Sequence, residues 1–149
     1  MMRTLSNRVR RSIAVTATVV GMVAVGATGA SAWTFATTGA PQSAISGGAS
    51  VGDGAGSIYR SGFAYVKTDA KLKDPVSNGR GVFQETYAYN SKSQASGQTG
   101  RRTGSTWASM QQTSLYSYQG FAGATARSKV CEDASLRPDV CSSDRLSGI

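Results

Sequence analysis

The stretch Phe63–Leu72, FAYVKTDAKL, decides the fold. Its small and apolar members fall at every second place. Ala64, Val66, Thr68, Ala70 and Leu72 share one side, and Phe63, Tyr65, Lys67, Asp69 and Lys71 share the other. A period of two is that of a strand with one buried face, because successive side chains leave a pleated sheet on opposite sides. The first set suits a core; the second suits water, with an aromatic patch. No stretch of the chain carries a helical stripe, or a cap followed by an apolar run.

Downstream, Pro75 cannot donate to a ladder, so the strand is expected to stop there. Asp74-Pro75 and Asn78-Gly79 are both turn signals. A strand over Gly81–Asn90 is then expected to return antiparallel, with Phe83, Glu85, Tyr87 and Tyr89 opposite Val82 and Ala88 and the register open. Residues 91–104 are polar and include Arg101-Arg102, which reads as a long exposed loop. Two strands should follow at about 105–112 and 113–119, or one long bent strand. The last strand, Phe121–Glu132, would turn Ala122, Ala124, Ala126 and Val130 inward and Arg127 and Lys129 outward. About five to six strands with turns between them indicate an all-β fold, a small antiparallel β-sandwich or a partly open barrel, with its core drawn from about 58–141.

Upstream, residues 36–57 are almost wholly Gly, Ala, Ser and Thr, with Asp53 as the only charge. So little apolar bulk does not offset the entropy of ordering the chain. Residues 33–57 therefore read as a disordered linker. Trp33 and Phe35 at its start are either a stray docked strand or a sticky end. Residues 1–32 have the layout of a secretory signal peptide. Arg3, Arg8, Arg10 and Arg11 precede an apolar run from Ile13 to about Ala27, and Ala30-Ser31-Ala32 offers cleavage between Ala32 and Trp33. A membrane span needs ~20 apolar residues, and this run is diluted by Thr16, Thr18, Gly21 and Gly26. After Arg10-Arg11 the hydrophobic position is only Ala14, so general export is favoured over the twin-arginine route. The expected organisation is a signal peptide at 1–32, a linker at 33–57 and a secreted β-domain at 58–149, with no membrane span after cleavage.

The 149 residues include 16 basic, 8 acidic and no histidine. Four of the basic residues and none of the acidic ones lie in 1–32, which leaves +4 on 33–149. That balance favours anionic cell-wall polymers and is no nucleic-acid footprint, which needs basic residues clustered on one face. Without histidine, Ser-His-Asp and Cys-His nucleophiles are excluded. Two cysteines cannot close a four-thiolate zinc site, and no cofactor or metal is expected. Cys131 and Cys141, the only pair, are expected to form a disulfide outside the cytosol, worth roughly 2–3 kcal/mol.

Three stretches, AYVKTDAKLKDPVSNGRGVF from Ala64, SLYSYQGFAG from Ser114 and ARSKVCEDASLRPDVCS from Ala126, resemble small secreted β-domain proteins of high-GC Gram-positive bacteria with a C-terminal Cys–Cys loop. The resemblance covers roughly 62–143 and implies fold and export but no activity. Where that group has Asp-Thr then Asp-Gly, this chain has Asp74-Pro75 and Asn78-Gly79, which keeps the turns and speaks against an acidic site.

Without histidine a hydrolase would use paired carboxylates. Asp69, Asp74, Glu85, Glu132, Asp133, Asp139 and Asp144 are the candidates, with Glu85 brought near Asp69 or Glu132 by strand pairing. Solvated turn and strand charges explain them more simply. Asp69, Asp74 and Asn78 are candidate calcium ligands without EF-hand spacing, read more simply as turn residues. The expected binding face is Tyr65, Tyr87, Tyr89, Tyr116 and Tyr118 on one sheet, since tyrosines are rigid, amphipathic contacts for sugars and proteins; alternatively they cover a thin core. The expected function is non-enzymatic binding at the cell envelope, to an extracellular protein, a glycan or an anionic polymer. The alternatives are a secreted antagonist or inhibitor presenting Arg137 and Pro138 on the stapled loop, and a carboxylate glycan hydrolase.

Overall fold

The computed structural model describes residues 32–76, 78–134 and 137–149. The expected signal peptide therefore lies outside the described residues, Ala32 excepted. Among the described residues there are eleven strands and no helix. The first sheet is built on β3 (Ala49–Ser61) and β4 (Tyr65–Lys73). β1 (Trp33–Ala36) and β2 (Gln42–Ser46) follow one another along β3, and β7 (Ala108–Ser109) and β8 (Thr113–Tyr116) along β4. The second sheet centres on β5 (Val82–Tyr89) and β9 (Thr125–Glu132). β6 (Gln94–Gln98) lies beside β5; β10 (Val140–Cys141) and β11 (Arg145–Gly148) lie beside β9. All pairings are antiparallel. The two sheets pack face to face as a small β-sandwich.

The alternation of Phe63–Leu72 holds in β4. Val66, Thr68, Ala70 and Leu72 are buried, and Tyr65, Asp69 and Lys71 are exposed. The interior has two apolar ends. Phe35, Ile58, Val66, Leu115 and Phe121 fill one, and Leu72, Val82 and Val130 the other. A polar belt crosses between them. Thr68 Oγ1 and Thr86 Oγ1 are 2.7 Å apart, Gln84 Nε2 donates to Thr86 Oγ1 at 2.9 Å and to Ser128 Oγ at 3.2 Å, and Ser128 Oγ donates to Gln42 Oε1 at 2.8 Å. All five residues are at most 2 % exposed, so each polar atom must find its partner inside the protein. The belt joins four strands from both sheets and fixes their register.

The disordered linker expected at 33–57 is not there: those residues form β1, β2 and most of β3. Composition misleads because the missing bulk is supplied by valines from across the sandwich and by Leu72 of the neighbouring β4. A Cβ on Gly54 would stand 2.5 Å from Val130 Cγ2 and 3.2 Å from Leu72 Cδ2, and one on Gly52 2.9 Å from both methyls of Val82. The glycines let the second sheet's valines press against the β3 backbone. The lone charge is satisfied too. Asp53 accepts from Ser43 and Ser50 hydroxyls, each at 2.6 Å, and pairs with Lys73 Nζ at 3.0 Å. Trp33 and Phe35 dock as a strand, Trp33 opposite Ile58.

β5 does not return beside β4. Residues 74–81 cross to the second sheet, where β5 pairs with β9 and β6. Asp74 Oδ1 accepts the Val76 N–H at 3.0 Å, and Asn78 Nδ2 donates to Glu132 Oε1 on β9, which steers the crossover. The long loop expected at 91–104 contains β6, whose half-buried Ala95 and Gly97 face the sandwich. β9 begins only at Thr125, with Ala122 exposed, and β11 adds an unexpected strand. Cys131 and Cys141 are disulfide-bonded across the β9–β10 pair, their Cα atoms 4.1 Å apart. That bond fits an extracellular protein. Among the described residues no helix is long and apolar enough to cross a membrane.

Candidate functional site

The outward residues of β4 set the axis of the first sheet's open face: Tyr65, Lys67, Asp69, Lys71 and Lys73. Register places Tyr116 of β8 and Ser61 of β3 beside Tyr65, Tyr59 beside Lys67, and Ser57 beside Asp69. The rings of Tyr65 and Tyr116 lie 5.2 Å apart, tilted by 48°. Two turns meet at this end of the sheet. Ser117 N–H donates to Ala64 O at 2.9 Å, and Phe121 N–H to Phe63 O at 3.0 Å. Between them Phe63 lays its ring against Gly120, which has a φ of +77° and no room for a Cβ. Phe63 is 65 % exposed, Tyr116 58 % and Tyr118 77 %. With Tyr65 they gather four exposed aromatic rings at one end of the sheet, where the two turns meet and Tyr65 and Tyr116 pair.

A polar cluster follows along the strand. Tyr59 Oη donates to Asp69 Oδ2 at 3.1 Å, while Gln112 Nε2 donates to Asp69 Oδ1 at 2.7 Å and to Tyr59 Oη at 2.9 Å. Burial, with the hydrogen bond and charge of Asp69 behind it, pushes the Tyr59 phenol above its ordinary value. Tyr59 thus stays a neutral donor. Beyond the cluster an open cleft of about 530 Å³ is lined by Ala36, Ala55, Ala70 and Met110, with Ser57, Asp69 and Lys71 also at its walls. It arises where the chain departs from regular pairing. β1 shifts register between Thr34 and Ala36, and β7 and β8 leave a gap along β4.

The five tyrosines do not share a face. Tyr87 and Tyr89, 5.4 Å apart, stand on the outer side of the second sheet, where Arg127 stacks on Tyr87 at 4.9 Å and Gln94 accepts its hydroxyl at 3.0 Å. The crossover at 74–81 is the reason, since it sends β4 and β5 to different sheets. Phe63 replaces the lost pair. Its place in the outward set of Phe63–Leu72 was the signal that could have found it.

Arg137 and Pro138 are exposed in the loop between β9 and β10, and Arg137 Nη2 lies 3.7 Å from Glu132 Oε2. The carboxylates do not pair as expected. Asp69 is on the first sheet, while Glu85 faces outward from the second, bound to Arg127 at 3.4 Å. Glu132 shares the inward parity of Ser128 and Val130 and is 1 % exposed. Asp74, 3 % exposed, does sense Glu132. Burial raises its pKa first and that neighbouring charge adds to it, against the Val76 hydrogen bond and Arg102. Among the described residues no group of three or more acidic or cysteine side chains converges to hold a metal ion, and Asp69, Asp74 and Asn78 have separate partners. Comparison with known protein families, curated proteins and solved structures finds no match for this chain.

Proposed function

We propose that the chain is an exported, non-enzymatic protein that binds a glycan of the cell envelope on the outer face of its first sheet. The observation that carries this reading is the run of Phe63, Tyr65, Tyr116 and Tyr118 into the Tyr59–Asp69–Gln112 cluster. Rings stack on the apolar faces of sugars, and fixed carboxylate, amide and phenol groups bond their hydroxyls. The face is preformed, so little ordering entropy opposes binding. The cationic apolar layout of 1–32, the disulfide and the resemblance to small secreted bacterial β-domains support export. The test is co-sedimentation with insoluble cell-wall material. Tyr65→Ala with Tyr116→Ala removes retention with the fold intact by circular dichroism, and Tyr87→Ala with Tyr89→Ala leaves it unchanged. Equal retention of all three proteins, or none by the wild type, rejects the reading.

A second reading, an inhibitor that presents Arg137 and Pro138, is favoured by the contacts that tie down both sides of that segment. The disulfide closes it, Asp139 Oδ1 accepts the Ala134 N–H at 3.0 Å, and Glu132 anchors Arg137. Potency surviving both reduction and Arg137→Ala would reject it.

A further inference from the structure

We infer that the glycan bound by this face is acidic, and that Lys67 and Lys71 hold its carboxylate or phosphate groups. The inference rests on the glycan-binding reading and names the class of sugar. β4 turns Tyr65, Lys67, Asp69, Lys71 and Lys73 outward at alternate positions. Lys73 is paired with Asp53 at 3.0 Å. Lys67 and Lys71 take part in no ion pair among the described residues, and those residues include all 8 acidic side chains of the chain. Asp69 stands between them, but its oxygens accept from the Tyr59 hydroxyl at 3.1 Å and the Gln112 amide at 2.7 Å, and neither lysine pairs with it. On the outer face of the second sheet, by contrast, Arg127 is shared by Glu85 at 3.4 Å and Asp144 at 3.5 Å. The first sheet thus sets two ammoniums without a carboxylate partner in line with its aromatic end.

An acidic polysaccharide matches that row. Lys67 lies two residues from Tyr65 along β4, roughly 7 Å at about 3.3 Å per residue. The flexible four-carbon stem of a lysine carries its ammonium across that gap, to an acid group on a sugar stacked against Tyr65 or on the next unit. Lys71 follows roughly 13 Å beyond Lys67, in range of a later acid group on the same chain. Exposed hydroxyls add donors at both positions: Ser114 of β8 stands opposite Lys67, and Ser109 of β7 opposite Lys71. An ammonium is a point charge with three donors, so it accepts a carboxylate or a phosphate alike. A neutral glycan on the same rings would leave both charges unanswered.

The experiment is co-sedimentation with purified cell wall that is native, stripped of its phosphodiester polymers by hydrofluoric acid, or amidated at its carboxylates with carbodiimide and methylamine. Wild-type affinity for native wall is expected to fall about tenfold as sodium chloride rises from about 0.1 to about 1 M, which cuts the screening length from about 10 to about 3 Å. Lys67→Gln with Lys71→Gln is expected to lose about tenfold at low salt, as for a charge-assisted hydrogen bond, and to flatten the salt dependence. Lys92→Gln with Lys129→Gln removes the same charge from elsewhere on the surface and is expected to leave affinity unchanged. Loss of binding on stripping identifies phosphate as the acid group, and loss on amidation identifies carboxylate; either supports the inference. Affinity indifferent to salt or to both wall treatments, or an equal loss in the two double variants, overturns it and leaves the glycan-binding reading standing. Absence of wild-type retention by native wall overturns both.

Discussion

Gly54→Ala is the sharpest test of the glycine-rich segment as a core strand. The added methyl would stand 2.5 Å from Val130 Cγ2, against roughly 3.5–4.0 Å for an ordinary carbon contact. About 1 Å must come from moving β3 off β9 or from forcing Val130 out of its rotamer. Val130 is fully buried against Leu72 and Val82 and has nowhere to go. Overpacking of this kind costs about 1–3 kcal/mol. Replacing glycine returns about 0.4–1 kcal/mol by stiffening the unfolded chain. The net loss expected is therefore about 1–2 kcal/mol. Val130→Ala alone costs on the order of 2 kcal/mol through lost burial and a cavity. In the double variant the methyl introduced by Gly54→Ala occupies part of that cavity, so the two costs fall short of additive by roughly 1 kcal/mol or more. Urea unfolding followed by tryptophan fluorescence measures all four corners of the cycle. A neutral Gly54→Ala, or additivity within about 0.3–0.5 kcal/mol, would refute the packing of β3 against β9.

Replacing both cysteines by serine is expected to lower stability by about 2–3 kcal/mol, read as a shift in the urea midpoint that reductant reproduces in the wild type. In the polar belt, Thr86→Val is expected to cost more than Thr68→Val, about 2–3 against at most about 1 kcal/mol. Thr86 serves both Thr68 and Gln84, whereas Thr68 serves Thr86 alone; equal costs in thermal unfolding would contradict the network. The two buried aspartates should act oppositely with pH. Burial alone would raise Asp53, but hydrogen bonds from Ser43, Ser50 and Lys73 and the charge of Lys73 prevail and hold it below its ordinary value. Its contribution is present above the unfolded value, near about 3.9, and is lost as pH falls through the lower folded one. Asp74 is raised, so it penalises the fold at neutral pH and relieves that penalty as pH falls from its folded value towards the ordinary one. Asp53→Asn should flatten the acid limb of the stability profile, and Asp74→Asn should remove the gain on mild acidification; unchanged profiles would show that neither carboxylate is held as described.

The strands that carry their own apolar residues are legible in the sequence. β4 announces its faces through Val66, Thr68, Ala70 and Leu72, and the β9 interior through Ala126 and Val130. β3 is not, because a strand whose partner supplies the bulk has a linker's composition. Only the alternation Gly52, Gly54, Gly56 hints at it. β6 is hidden for a related reason: QASGQ is an edge strand whose polar residues face water. The site is half legible. Tyr65 and Tyr116 belong to the expected face, but local periodicity is blind to which sheet a strand joins, so it places Tyr87 and Tyr89 on the wrong one. The Asp69 cluster needs contacts over 43 and 10 positions, from Gln112 and Tyr59, which no local pattern encodes.

The most direct measurement of the binding claim is an amide chemical-shift titration of the described domain with soluble fragments of cell-wall glycan. Perturbations should gather at Phe63–Lys71, Gln112 and Leu115–Tyr118, with β5, β6 and the Arg137 loop still. Shifts centred on Tyr87 and Tyr89 or on Arg137, or no shifts at saturating sugar, would contradict it.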